Sequence, residues 1–264
     1  MGFLNSYQMR LTRKYFRLRA GWKSRELNDV ADRTRTIRHG DILLFSVLRD
    51  ERRRLPYFLN YYRQLGIGHF LFVDNDSSDG SDSYLAEQTD VSLWRTSGSY
   101  KASRYGIDWL NGLLSRYGHK HWALTVDLDE FFVYPFCDTR PLEALTDWLD
   151  SSAIRSFGAM LLDMYPKGAV DDIRYVEGQN PMEIACWFDG GNYTMKKNPR
   201  YRNLWVQGGP RSRVIYADTP YLAPALNKIP LVKWNRRYAY VSSTHMILPR
   251  GLNYVYDEWG GEKT

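Results

Sequence analysis

The stretch ILLFSVLRDERRRLPYFLNYYRQLGIGHFLFVDNDSSDG, residues 42–80, decides the fold. It opens on ILLFSVL (42–48), a continuous apolar run of strand length, the pattern of a strand covered on both faces. In the segment that follows, Leu55, Phe58, Leu59, Tyr62 and Leu65 recur at helical spacing. Pro56 sits in the first turn of that helix and Gly66 is placed to close it. HFLFV (69–73) is a second strand. Its end, FVDNDSSDG (72–80), crowds Asp74, Asn75, Asp76 and Asp79 with two serines at the entry to the next helix.

The alternation continues outward. SDGSDSYLAEQ starts a helix from a Ser or Asp cap, and VSLW (91–94) is a third strand. ASRYGIDWLNGLLSRYG is a helix with Tyr105, Trp109 and Leu113 in line, and HWALTV (121–126) is a fourth strand. Strands alternating with helices imply right-handed crossovers and a parallel, doubly wound sheet, Rossmann-like, with ligands at the carboxyl ends of the strands. Two acidic clusters fall at such ends: the 74–79 loop, and Asp127, Asp129 and Glu130 in LTVDLDEFFVY. Both ends point to one edge, so the clusters are expected to line one crevice. Beyond residue 140 the periodicity weakens. PLEALTDWLD suggests a helix, SFGAMLL a strand, and residues 165–220 read as loops and short strands; LNKIPLVKW and YVSSTHMIL close the legible part. The chain stops at GGEKT with no element closing it, as expected of a piece of a longer chain.

A calcium loop does not fit FVDNDSSDG. That loop needs Gly at position 6 and Glu at position 12. Counted from Asp74 those positions hold Asp79 and Leu85, and counted from Asn75 they hold Gly80 and Ala86. Capping accounts for one such residue, but like charges crowded together cost stability. A site that needs acceptors, for a base or a ribose, would offset that cost. In DLDE, two aspartates one residue apart on an extended strand end point the same way, and together suit one hard divalent cation bridging a diphosphate. A solvated acidic turn is the plain alternative.

Composition narrows the class. The chain has 264 residues, is 44% hydrophobic and carries a net charge of +6. No apolar run reaches the roughly 18 residues of a transmembrane helix, and the N-terminus lacks the apolar region of a secretory signal. Cys137 and Cys186 lack metal-site spacing and cannot make a disulfide framework, which favours a reducing cytoplasmic compartment. The charge is concentrated: residues 1–25 hold Arg10, Arg13, Lys14, Arg17, Arg19, Lys23 and Arg25, and no acid. There Leu4, Leu11, Tyr15, Leu18 and Trp22 share one helical face, away from Arg10, Arg13 and Arg17. A basic amphipathic helix of this kind suits an anionic membrane surface, on the inner face of the membrane; a helix packed on the domain with a solvated basic face is the alternative. No basic patch with interleaved aromatics recurs beyond this arm, so nucleic acid is not an expected partner. Aromatics reach 15%, which fits either sugar or base stacking or an aromatic core.

SVLRDERRRLPYFLNYYRQLGIGHFLFVDNDSSDGS followed by WALTVDLDEFFVYP resembles the bacterial family 2-type glycosyltransferases of GT-A fold, over roughly residues 40–250. After the basic arm (1–38), the resemblance implies a nucleotide-sugar-binding α/β half (39–135) and an irregular acceptor-side half (136–264) of the same domain. It implies that Arg49, Asp50 and Glu51 follow the first strand as the family's charged element. It implies that Asp74, Asn75, Asp76, Ser77 and Asp79 contact the nucleotide of a UDP- or GDP-sugar, and that Asp127, Asp129 and Glu130 bind Mn2+ or Mg2+ and the diphosphate. A late histidine completes such a site, and His245 is the candidate. Lys228, Arg211 and Arg213 are candidates for the phosphates or the acceptor, which would be a glycan or a lipid-linked glycan in surface polysaccharide synthesis. An inverting transferase also needs a carboxylate to take the acceptor proton. Asp189, in CWFDGGNY, and Asp163 are the candidates, with Glu183 behind them.

Two rivals remain at this level. VDLDEF resembles the haloacid-dehalogenase phosphotransferase motif, but that family carries it on its first strand, not its fourth, and Phe131 stands where Thr or Val is usual. The other rival is a non-catalytic module that keeps the fold and docks through its basic arm.

Overall fold

The computed structural model describes residues 3–168, 173–198 and 203–248. In chain order the strands are β1 (Asn28–Ala31), β2 (Ile42–Leu48), β3 (Ile67–Asp74), β4 (Val91–Arg95), β5 (Trp122–Thr125), β6 (Ser156–Met160), β7 (Met164–Tyr165), β8 (Trp187–Phe188), β9 (Tyr193–Lys197), β10 (Leu204–Gly208), β11 (Asn227–Lys233), β12 (Ala239–Ser242) and β13 (Met246–Leu248). The α-helices are α1 (Phe3–Lys23), α2 (Leu55–Leu65), α3 (Ser81–Ala86), α4 (Ile107–Tyr117), α5 (Leu142–Ser151) and α6 (Pro181–Ile184).

Seven strands form one sheet in the order β1-β4-β3-β2-β5-β11-β6. Its four central strands, β4, β3, β2 and β5, are parallel, and antiparallel strands flank them on both sides. The chain runs outward from β2 through β3 to β4, then returns to place β5 on the other side of β2. The order therefore reverses at β2/β5, and that reversal is where an open α/β sheet leaves a crevice at its carboxyl edge.

Alternation along the strands sends side chains to two cores. Leu44, Phe70, Phe72 and Leu124 pack with Phe58, Leu59 and Tyr62 of α2 on one face. Leu43, Phe45, Leu71 and Val73 pack with Trp109 and Leu113 of α4 and with Trp234 and Tyr240 on the other. The helix read at 55–65 is α2, and Gly66, at φ 95°, caps it in the left-handed conformation that glycine tolerates best.

One reading is corrected. Tyr105 is not in the α4 helix: it lies before Ile107, at φ 58°, and is exposed. YVSSTHMIL folds as the hairpin β12–β13, with Ser243 at φ 45° in the turn and His245 just before β13. After α1 the chain adds β1 to the sheet, antiparallel to β4. The side chain of Leu4 and the GGEKT end (260–264) lie outside the described residues.

The second half is built into the same sheet through β11, which enters between β5 and β6. Pro230 has no N–H for the ladder, and β11 slips register against β6 between Lys228 and Leu231. Leu231 pairs with Leu124 and Lys233 with Trp122, so extending that register brings Lys228 opposite Asp127.

Candidate functional site

The DLDE turn follows β5, and the surrounding chain holds its backbone on several sides. Ser46 Oγ donates to the Val126 carbonyl (2.6 Å), and Val126 N–H donates to the Phe45 carbonyl (3.3 Å). The buried Tyr62 hydroxyl donates to the Glu130 carbonyl (2.9 Å) and accepts from the Phe132 amide (3.1 Å). Glu130 closes the turn by accepting from the Asp127 amide (3.2 Å). Asp127 and Asp129 are exposed at this edge, and Asp129 makes no hydrogen bond or ion pair among the described residues.

Lys228 faces this turn. Its ammonium donates to Asp127 Oδ2 (3.1 Å) and to Glu130 Oε1. Burial pulls the Lys228 ammonium down, yet Asp127 and Glu130 hold it above the usual lysine range. Burial pushes the Glu130 carboxyl up, against the pull of Lys228. His245 is next to this group, because its ring bonds to Asn227, the residue before Lys228. Burial holds the His245 imidazole below the usual histidine range. Its Nδ1 is 2.6 Å from the Asn227 carbonyl, so Nδ1 carries the proton and Nε2 keeps a lone pair.

Among the described residues no three acidic, histidine or cysteine side chains converge into a cage made by protein alone. Two exposed carboxylates on one strand end, with a neutral imidazole nearby, instead suit a hard cation that draws its other ligands from phosphate oxygens and water. The residues fit a shared site of that kind, with Lys228 competing for the Asp127 charge.

The acidic loop after β3 differs from its sequence reading. Asp74 is fully buried: Oδ2 accepts from the Ser77 amide (3.1 Å), and Oδ1 has no hydrogen-bond partner among the described residues. Burial raises its carboxyl above the usual range. Asn75 is spent on the carbonyls of Thr96 and Gly98, each at 3.0 Å. Asp76, at φ 62°, is exposed and pairs with Arg95 (3.0 Å). Asp79 accepts from the Arg52 amide (2.8 Å) and from Ser81 N–H and Oγ. The crowded aspartates are thus offset by Arg95 and by backbone amides within the protein.

A cavity of about 540 Å³ opens beside β2, lined by Asp50, Glu51, Arg52, Arg53, Arg54, Asp79, Tyr175 and the α6 segment. Its volume falls in the range of small-molecule sites. Glu51 and Asp79 therefore share one cavity, whereas Arg49 is outside it, largely exposed and 3.7 Å from Asp50. Arg54 pairs with Glu51 (2.5 Å): burial pulls its guanidinium down, but Glu51, and behind it Asp129, hold it above the usual arginine range. Sequence reasoning missed Arg52, Arg53 and Arg54, although the RRR run after Glu51 carried the signal. Tyr175 lies in a stretch with no periodicity to mark it.

Both candidate bases are ion-paired. Arg211 Nε donates to Asp163 Oδ2 (2.6 Å). Arg213 Nε and Nη2 donate to Asp189 at 2.9 and 3.0 Å, and the Tyr165 hydroxyl donates to it at 2.8 Å. Arg213 and Tyr165 hold the Asp189 carboxyl below the usual range. Glu183 lies in α6, exposed, and is hydrogen-bonded weakly to Asn180 (3.4 Å). The arginines emerge from a single π-type turn, Arg211–Ile215, that follows Gly208 and Gly209. A Cβ at Gly208 would meet the Asn192 carbonyl oxygen at 2.0 Å, so only glycine lets β10 pass the 192 turn.

No family model matches the chain, and no curated protein matches it. Among solved structures, the chain is similar to a 4-diphosphocytidyl-2C-methyl-D-erythritol synthase, with a TM-score of 0.31 and 17% identity over 53% of this chain and 68% of that one.

Proposed function

We propose that this chain is a metal-dependent glycosyltransferase that moves a sugar from a UDP- or GDP-sugar to a glycan or lipid-linked acceptor. One observation carries the reading: Asp127 and Asp129 stand exposed on a tightly held turn at the β2/β5 reversal. The cavity beside β2 adds room for a nucleotide, with Arg52, Arg53 and Arg54 in its lining beside Asp50, Glu51 and Asp79. Asp127 and Asp129, with His245, would hold Mn2+ or Mg2+, which when bound supplies charge neutralisation for a diphosphate.

The remaining roles belong to the protein's own groups. Lys228, already cationic between Asp127 and Glu130, is placed to meet phosphate oxygens if Asp127 is drawn elsewhere. Glu130 orients the turn through the Asp127 amide. Between the candidate bases, position favours Asp163, because it follows β6, whose Met160 pairs with Asn227 beside Lys228. Asp189, held low by Arg213, is the better anchor and the weaker base.

A second reading, a non-catalytic binding module on the same fold, is favoured by the ion pairs that already engage Asp127, Asp163 and Asp189. Calorimetry with UDP and Mn2+ separates the two, followed by donor hydrolysis. Metal-dependent nucleotide binding and turnover that both vanish in Asp127→Ala/Asp129→Ala support the transferase. Unchanged turnover in that variant sinks the metal assignment, and no metal-dependent binding of any nucleotide sinks the transferase.

A further inference from the structure

The apolar stripe of α1 does not face the protein. Tyr7, Leu11, Tyr15, Leu18 and Trp22 are each between 48% and 68% exposed. At 100° per residue these five positions fall within one narrow sector of the helix. The opposite sector is the seat. Met9, Ala20 and Lys23 are buried there, and Phe16 lies under the Arg104 guanidinium at 3.8 Å. The seat is polar as well as apolar. Arg19 Nε donates to the buried Asp108 (2.8 Å), Lys23 pairs with Glu26 (2.6 Å), and Trp109 Nε1 donates to Glu26 (3.0 Å). The helix is therefore fixed on α4 by one face while its most apolar face meets solvent.

Charge identifies what covers that face. Arg10, Lys14 and Arg17 are exposed along one flank of the stripe, and residues 1–25 contain no acid. A stripe of leucine, tyrosine and tryptophan bordered by cations on one side suits a boundary between acyl chains and anionic headgroups. A self-associating helix would instead set its cations against those of its copy, with no acid on α1 to offset them.

Position agrees. Phe16 and Arg19 meet residues 102–108, whereas Ser24 meets Gly112, so α1 runs parallel to α4. Its preceding turns continue past the N-terminal end of α4, which lies at the carboxyl edge of the parallel strands. That is the edge that carries Asp127 and Asp129.

We propose that α1 is an interfacial helix that docks this protein on an anionic lipid surface, its stripe in the headgroup boundary and its flanking cations on lipid phosphates. The inference rests on the helix alone and holds whether or not the crevice is a transferase site.

The test is co-sedimentation of the full chain with vesicles of phosphatidylcholine, with and without phosphatidylglycerol. The expected result is binding to the anionic vesicles that falls as salt rises. Arg10→Gln, Lys14→Gln and Arg17→Gln should each weaken it roughly fivefold. Leu18→Ser with Trp22→Ser should abolish it while the circular dichroism spectrum and the UDP calorimetry stay as in the parent, because both side chains are largely exposed and the ring contact of Trp22 is with Lys23 of the same helix. Failure of the parent to sediment with anionic vesicles, or equal sedimentation of the Leu18/Trp22 variant, overturns the proposal. So does a lipid-free dimer in velocity sedimentation that becomes monomeric in that variant, since the stripe would then be a self-interface.

Discussion

Lys228 shows how one residue can give a site two states. Its side chain is only 7% exposed, and it serves an exposed Asp127 and a 16% exposed Glu130 together. Replacing it with methionine keeps the stem and removes the charge, which leaves Glu130 buried beside Asp127 without its hydrogen-bonded cation. Breaking a fully buried pair costs about 3–5 kcal/mol. Water still reaches Glu130, so a loss of about 2–4 kcal/mol is expected in urea unfolding of Lys228→Met. Added Mn2+ should recover part of that loss in the variant and little in the parent; equal effects on both would show that the carboxylates do not attract a cation. Tyr62 is a simpler case. Tyr62→Phe strands the buried Phe132 amide, at an expected cost of about 1–3 kcal/mol, with faster hydrogen exchange at that amide. The sequence marked Tyr62 as a core position of α2 by its spacing. It did not mark the hydroxyl's partners, because they lie across a contact between positions 62 and 130–132 that no local pattern encodes.

At the scale of elements, legibility followed burial. β2, β3, β4, β5 and α2 were readable because each is short, apolar and bounded by breakers, so that local pattern and final environment agree. β11 was readable as a strand but not as a neighbour of β5, since its placement depends on non-local pairing around Pro230. α1 was readable as amphipathic, but periodicity states that two faces differ and not which one packs inward. Its seat is chosen by Gly112. A Cβ there would meet Ser24 Oγ at 2.0 Å, so glycine permits the close approach of α1 and α4. Ser24 can rotate away from an alanine, but the branched side chain of Gly112→Val fills the gap. That variant should free α1, read as accelerated proteolysis within residues 3–23, while the core melts nearly as before. Unchanged protection would mean that the Arg19–Asp108 and Trp109–Glu26 contacts hold the helix without the close approach.

At the scale of the whole molecule, the crevice joins parts separated by most of the chain. Asp127 follows β5, Lys228 comes from β11, His245 from the β12–β13 turn and Arg54 from the start of α2. A ligand that bridges the arginine-lined cavity and the DLDE turn therefore cross-links the first and second halves of the sheet, and it should oppose unfolding of both. Ligand that binds only the folded state adds about 2.7 kcal/mol at a concentration 100 times its Kd. For a chain of this size each kcal/mol raises Tm by roughly 2–4 °C, so a nucleotide diphosphate with Mn2+ should raise it by roughly 5–10 °C. The rise should be cooperative: nucleotide alone or Mn2+ alone gives less than the pair, because each completes the other's coordination. Arg54→Ala should weaken the nucleotide part and Asp127→Ala the metal-dependent part. A full shift that persists in both variants would place the ligand elsewhere on the molecule, and with it the function read from this edge of the sheet.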